Sequence, residues 1–202
     1  MADDDAISNS LAEVVTDAAK KIVGPPAERI GGMLADLIDV GGGEYLRAIR
    51  LRNADKMQQE TLRIIHERHA EERMIEPPLS IAKPIMESAA DENREELQLL
   101  WARLLANAID PTRADRVRVE FVDTLRKFHP LDAVILREMT TPTVAQNQQQ
   151  TADVLRECLD LPQDEILVSL QQLQKLGCIE TNIAARFSIT PFGRQLLAAL
   201  EP

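Results

Sequence analysis

Apolar residues recur at helical spacing through most of the chain, and the densest run lies between Pro84 and Pro111. Leu97, Leu100, Trp101, Leu104, Leu105 and Ala108 fall at i, i+3, i+4, i+7, i+8 and i+11, one face of a helix. Leu99, Ala102, Ala106 and Ile109 widen that face, leaving Glu95, Glu96, Gln98, Arg103 and Asn107 as a narrow polar edge. A helix apolar around most of its circumference is packed from several sides. Residues 93–109 are therefore expected to be the central helix of a helical domain, with Trp101, the single tryptophan, as its core anchor.

Upstream, residues 44–74 contain no proline or glycine and read as one long helix. Its apolar stripe of Leu46, Ile49, Met57 and Ile64 is thin and is interrupted by Asn53 and Thr61. A stripe that thin predicts a partly solvated helix or one that pairs with a second copy, so a homodimer through this helix is an expectation. Residues 11–43 form an amphipathic helical segment broken by Gly24-Pro25-Pro26 and closed by Gly41-Gly42-Gly43. Residues 1–10 read as a disordered acidic tail. Ser80 is expected to cap a short helix reaching Ala90, with Pro84 tolerated near its first turn. The central helix should start at Asp91 or Asn93, and a further helix spans Val117 to Phe128.

From Pro130 the pattern changes. One helix starts at Pro130 and a second spans Thr151 to Cys158, after a polar loop over Thr140 to Gln150. A third spans Gln163 to Leu176 and stops at Gly177. Two short strands follow, Cys178-Ile179-Glu180 and Phe187-Ser188-Ile189, then a helix opened by Thr190-Pro191. Helix, helix, helix, strand, turn, strand is the order of a winged helix-turn-helix. The predicted fold is thus mainly α: a helical domain over residues 44–129, then a winged helix-turn-helix with a two-stranded wing over 130–202.

The segment PIMESAADENREELQLLWARLLANAIDP, followed by VEFVDTLRKFHPLDAVILREM, resembles the bacterial abortive-infection alpha family. The matching features are Pro84 to Glu87, Glu95 to Gln98, Trp101 to Ala108, Asp110-Pro111 and Pro130 to Asp132. The resemblance is strongest from Ile75 to Met139. It implies a role in defence against phage and brings no reaction or catalytic residues with it.

Charge and composition narrow the chemistry. The net charge is −10, which gives no global attraction to nucleic acid or anionic membrane. From Pro130 onward there are five Lys or Arg against nine Asp or Glu. The predicted recognition helix does carry Gln171, Gln172 and Lys175, but Asp164 and Glu165 stand at the end that would face the bases. The densest basic group is Arg47, Arg50, Arg52 and Lys56 on the long helix. These seven residues, Arg47, Arg50, Arg52, Lys56, Gln171, Gln172 and Lys175, are the candidate interaction residues.

No catalytic constellation is legible. His66 and His69 are three apart, whereas the zinc-protease pattern needs two His four apart. Glu87, Asp91 and Glu92 are explained by helix capping and dipole complementarity. Cys158 and Cys178 sit at apolar positions and are expected to be buried free thiols. No cofactor or metal is expected. MADDDAISNS is the opposite of a basic signal-peptide start, so a cytoplasmic location is expected. The reading is a non-enzymatic phage-defence protein acting on a protein partner or on itself. A winged-helix regulator binding duplex DNA is the first alternative, and an effector that perturbs membranes through residues 11–43 is the second.

Overall fold

The computed structural model describes residues 44–146, 151–181 and 187–201. The expected acidic tail and amphipathic segment lie outside these residues. The described chain is mainly helical, with one small antiparallel sheet. It divides into two compact units between Val119 and Glu120.

The first unit is built on three helices: α1 (Glu44–Glu67), α2 (Leu79–Asp91) and α3 (Glu95–Ile109). Each packs on the other two, and α3 is covered by both α1 and α2. That is why α3 carries apolar residues on so much of its surface. Leu97, Trp101, Ala102, Leu104, Leu105, Ala106 and Ile109 are all buried.

Helix α1 stops at Glu67 and not at Met74. His69 takes a left-handed backbone conformation at φ 50°, which no helix can continue through. A single 3-10 turn, Glu71–Arg73, follows. The reversal buries Ala70 and Met74 and brings the Ile75 amide to donate to the Ile109 carbonyl at 2.9 Å. Nothing local forbids a longer helix; burial of these two side chains against the unit decides it.

The expected interruptions of the α1 stripe are part of the core. Asn53 is 3% exposed and Thr61 1%. The Asn53 amide donates to the Ala90 carbonyl and to Asn93 Oδ1, both at 3.0 Å. The Thr61 hydroxyl reaches the Met57 and Ala102 carbonyls at 2.8 and 3.3 Å. A satisfied polar group can occupy an interior position at little cost. The α1 stripe is therefore filled by α2 and α3 of the same chain, and only its first turn, with Tyr45 and Leu46, stands exposed.

The α2–α3 junction also differs from expectation. Helix α2 starts at Leu79 on a Pro78 cap, so Ser80 lies inside it and caps nothing, and Pro84 is an interior residue. Asp91 is its last residue, and α3 begins at Glu95. Glu92 holds the turn: its carboxylate accepts from the Arg94 amide at 2.9 Å and from the guanidinium at 2.8 and 2.7 Å.

The second unit begins ten residues before the boundary expected at Pro130. Helix α4 (Val119–Leu125) belongs to it, shorter than the Val117 to Phe128 expected, and Phe121 meets Phe192 edge to face at 5.3 Å. Then come α5 (Pro130–Glu138), α6 (Pro142–Gln146), α7 (Thr151–Leu159) and α8 (Gln163–Lys175). Strands β1 (Ile179–Thr181) and β2 (Phe187–Ile189) pair antiparallel, Glu180 opposite Ser188, and α9 (Pro191–Leu200) ends the unit. Helix α6 lies where a polar loop was expected, and residues 182–186, including Arg186, are outside the described set.

Two caps define this unit. His129 caps α5, and Asp132 closes the capping box by accepting the His129 amide at 2.7 Å. At the end of α8, Gly177 sits at φ +71°, its amide reaching the Gln174 carbonyl and the Cys178 amide reaching the Leu173 carbonyl. That is the Schellman arrangement, and it needs a residue free to take positive φ.

Candidate functional site

The two groups of candidate residues lie in different units. On α1, Arg50 Nε is 2.7 Å from Asp91 Oδ1 and Lys56 Nζ is 3.3 Å from Glu95 Oε1. Arg47 and Arg52 are exposed. Arg50 and Lys56 thus meet carboxylates of the same unit, and the group is weaker as a positive surface than its sequence density suggests.

In the second unit the structure brings Gln171, Gln172 and Lys175 together on one wall of a surface cleft of about 580 Å³. Helix α8 turns Ile166, Ser169, Leu170 and Leu173 inward. The spacing leaves Asp164, Val168, Gln171 and Lys175 on the outward face. Val168 is 66% exposed, and Leu131 of α5 also lines the cleft. Lys127 and His129 border it, and the Gln172 side chain donates to the Lys127 carbonyl at 3.2 Å. That bond holds Gln172 against its own unit. The cleft residues Lys127, His129, Leu131 and Val168 were not singled out from sequence. Val168 had a signal, an apolar residue on the polar face of α8; the others are assembled only by the fold.

Charge runs along this face in order. Asp164 and Glu165 are at the α8 N-terminus and Lys175 is at the other end. Acid at the start and base at the end suit the helix dipole.

Both cysteines lie in this unit. Cys178 is fully buried; burial first, and the Asp132 carboxylate second, push its thiol up to about 12. A thiol so protonated and enclosed is inert. Cys158 is exposed, contrary to the expectation that both were buried. Helix α7 buries Thr151 and Leu155 and turns Cys158 outward.

In the first unit, His66 Nδ1 is 2.6 Å from Glu71 Oε1, and the His66 and His69 rings stand 6.4 Å apart. No group of three or more His, Cys, Asp or Glu among the described residues could hold a metal ion. The acidic trio is engaged in ion pairs: Glu87 with Lys83, Asp91 with Arg50, Glu92 with Arg94.

A buried electrostatic junction closes α3. Asp110 is 1% exposed, and its Oδ1 accepts from the Thr112 amide at 3.0 Å and hydroxyl at 2.7 Å. Arg68 and Arg73 each approach it to 3.8 Å. Burial alone would raise the carboxyl; the Thr112 bonds and the two guanidiniums outweigh it and hold it below the ordinary aspartate range. The unfolded chain therefore binds the proton more readily than the native one. The stability this group contributes is complete above the unfolded pKa and is lost as pH falls through the folded one. Asp110→Asn is expected to cost about 1–3 kcal/mol at neutral pH. Its denaturation midpoint should also fall less than the wild type's between roughly pH 5 and 3. Parallel pH profiles for the two proteins would refute the assignment.

The described residues thus define a mainly helical protein of two units with a single two-stranded sheet. The chain belongs to the abortive infection alpha family, whose sequence profile matches residues 47–188. Neither the curated proteins nor the solved structures gave a match. Membership sets an abortive-infection context. No helix among the described residues is long and apolar enough to cross a membrane.

Proposed function

We propose that this chain acts in phage defence through protein contact and not by catalysing a reaction, with the second unit a winged helix-turn-helix whose α8 face is the contact surface. The observation that carries the reading is Val168, 66% exposed midway along α8, in a cleft lined by both signs of charge. An exposed apolar side chain among polar groups and charges of both signs suits a protein partner. Phosphate binding would call for one sign, and here Asp164 and Glu165 occupy the end of α8 that a DNA reader turns to the bases. Gln172, held against the Lys127 carbonyl, is also less available for base edges.

The test is plating efficiency of a diverse phage panel on bacteria expressing the chain, compared with an empty vector and with Val168→Glu. Wild type should cut plaques of some phages at least about tenfold, and the variant should restore them while melting normally. A glutamate on an exposed position leaves the fold intact but puts a desolvated charge into the contact. Full plating of every phage on the wild type would overturn the defence role. Defence that survives Val168→Glu would remove the α8 face from it. Salt-sensitive duplex binding would turn the reading to a transcription regulator.

A further inference from the structure

The outward face of α8 is complementary to itself when reversed. Along it stand Asp164, Val168, Gln171 and Lys175, spaced four, three and four residues apart. Read from the other end, the same positions present base, amide, apolar group and acid. We infer that two copies of this chain pair through α8, antiparallel about a two-fold axis, as one of the protein contacts proposed above. In that arrangement residue i meets residue j and j meets i, the mark of an isologous interface. Asp164 faces Lys175 of the second copy at both ends, and Val168 packs on the stem of the second copy's Gln171 near the axis.

The dimensions agree. Asp164 and Lys175 are eleven residues apart, about 16 Å along the helix. The charged pairs therefore flank the Val168 contacts without entering them. Glu165, on the α8 N-terminal turn, strengthens the acidic end. A parallel pairing would set Asp164 on Asp164 and Lys175 on Lys175, and like charges select against it. One helix pair buries an area at the low end for specific interfaces, so the dimer should be weak, with a dissociation constant on the order of micromolar.

The inference rests on the α8 face being a contact surface, and its test separates the two. Molar mass of the full chain is measured by light scattering from about 1 to 200 μM, for wild type, Asp164→Lys, Lys175→Glu, and an equimolar mixture of the two variants. Wild type should move from monomer to dimer with concentration. Each reversal alone sets like charges together at both ends of its own homodimer and should weaken pairing at least about tenfold. Mixing the two restores opposite charges at both ends, so a heterodimer should form. Raising salt should weaken the wild-type dimer, because the pairs are exposed.

A wild-type mass fixed at one monomer over the whole range would overturn the inference. So would a dimer indifferent to either reversal, or a mixture that pairs no better than its components. A wild-type dimer that leaves every phage unaffected would refute the proposed function and keep the pairing. A monomer whose defence is lost in Val168→Glu would do the reverse, and the α8 face would then belong to a different protein.

Discussion

Trp101→Ala is expected to remove about 3–5 kcal/mol of stability, enough to unfold much of the chain at moderate denaturant. Trp101 is 1% exposed and lies mid-way along α3, the helix that α1 and α2 both cover. Alanine would lose the indole's burial and open a cavity that helices clamped from two sides cannot collapse to fill. The indole N–H is buried and has no hydrogen-bond partner among the described residues, so no bond is lost with it. That detail yields a second outcome. Trp101→Phe keeps most of the apolar volume and removes an unsatisfied donor, so it should cost well under half as much as alanine. Chemical denaturation reads both. An unchanged midpoint for Trp101→Ala would show that α3 is not the centre of the unit.

Gly193→Ala is expected to destabilise the second unit by about 3 kcal/mol, against the direction that helix propensity predicts. Within a helix, glycine to alanine ordinarily stabilises by about 0.5–1 kcal/mol. Here a Cβ would stand 2.1 Å from the Cys178 carbonyl oxygen and 2.9 Å from its carbon and from Ile189 Cγ2. The oxygen is backbone and cannot swing aside. It is fixed from several directions: Thr190 donates to it through its amide at 3.0 Å and its hydroxyl at 3.1 Å, and the hydroxyl also reaches the Gly177 carbonyl. The same Thr190 side chain accepts the Gly193 amide at 3.0 Å and so caps α9. The start of α9, the end of α8 and β1 are thus joined at one point that only glycine fits. Thermal melts of Gly193→Ala and of an exposed control such as Gln195→Ala decide the matter. If the Gly193 variant melts at or above the wild type, the close approach is absent in solution.

Much of this architecture is legible in the sequence. The period of Leu97, Trp101, Leu104 and Leu105 identified the central helix, and the Gly177 and Thr190-Pro191 signals marked the end of α8 and the start of α9. Both strands were expected, the first displaced by one residue from where it lies. The candidate site was legible in part. Gln171 and Lys175 do face one cleft, whereas Gln172 is committed to the Lys127 carbonyl 45 residues away in sequence. Arg50 and Lys56 looked like an open basic patch because Asp91 and Glu95 are about forty residues distant along the chain.

By itself, then, the sequence determined the kind and order of most elements, the inward faces of the central helix and of α8, the sign of the charge and the resemblance to the family. Those properties are carried by spacing within a few residues, where 3.6-fold periodicity and capping chemistry act. Only the tertiary structure decided that Asn53 and Thr61 are core residues, that α1 reverses at His69, that α4 joins the second unit, and that Val168 lines a cleft. Each of those outcomes depends on what a distant segment supplies: a carbonyl to satisfy an amide, a surface to bury Ala70 and Met74, a ring for Phe121 to meet. Local pattern cannot register a partner that folding alone brings within reach.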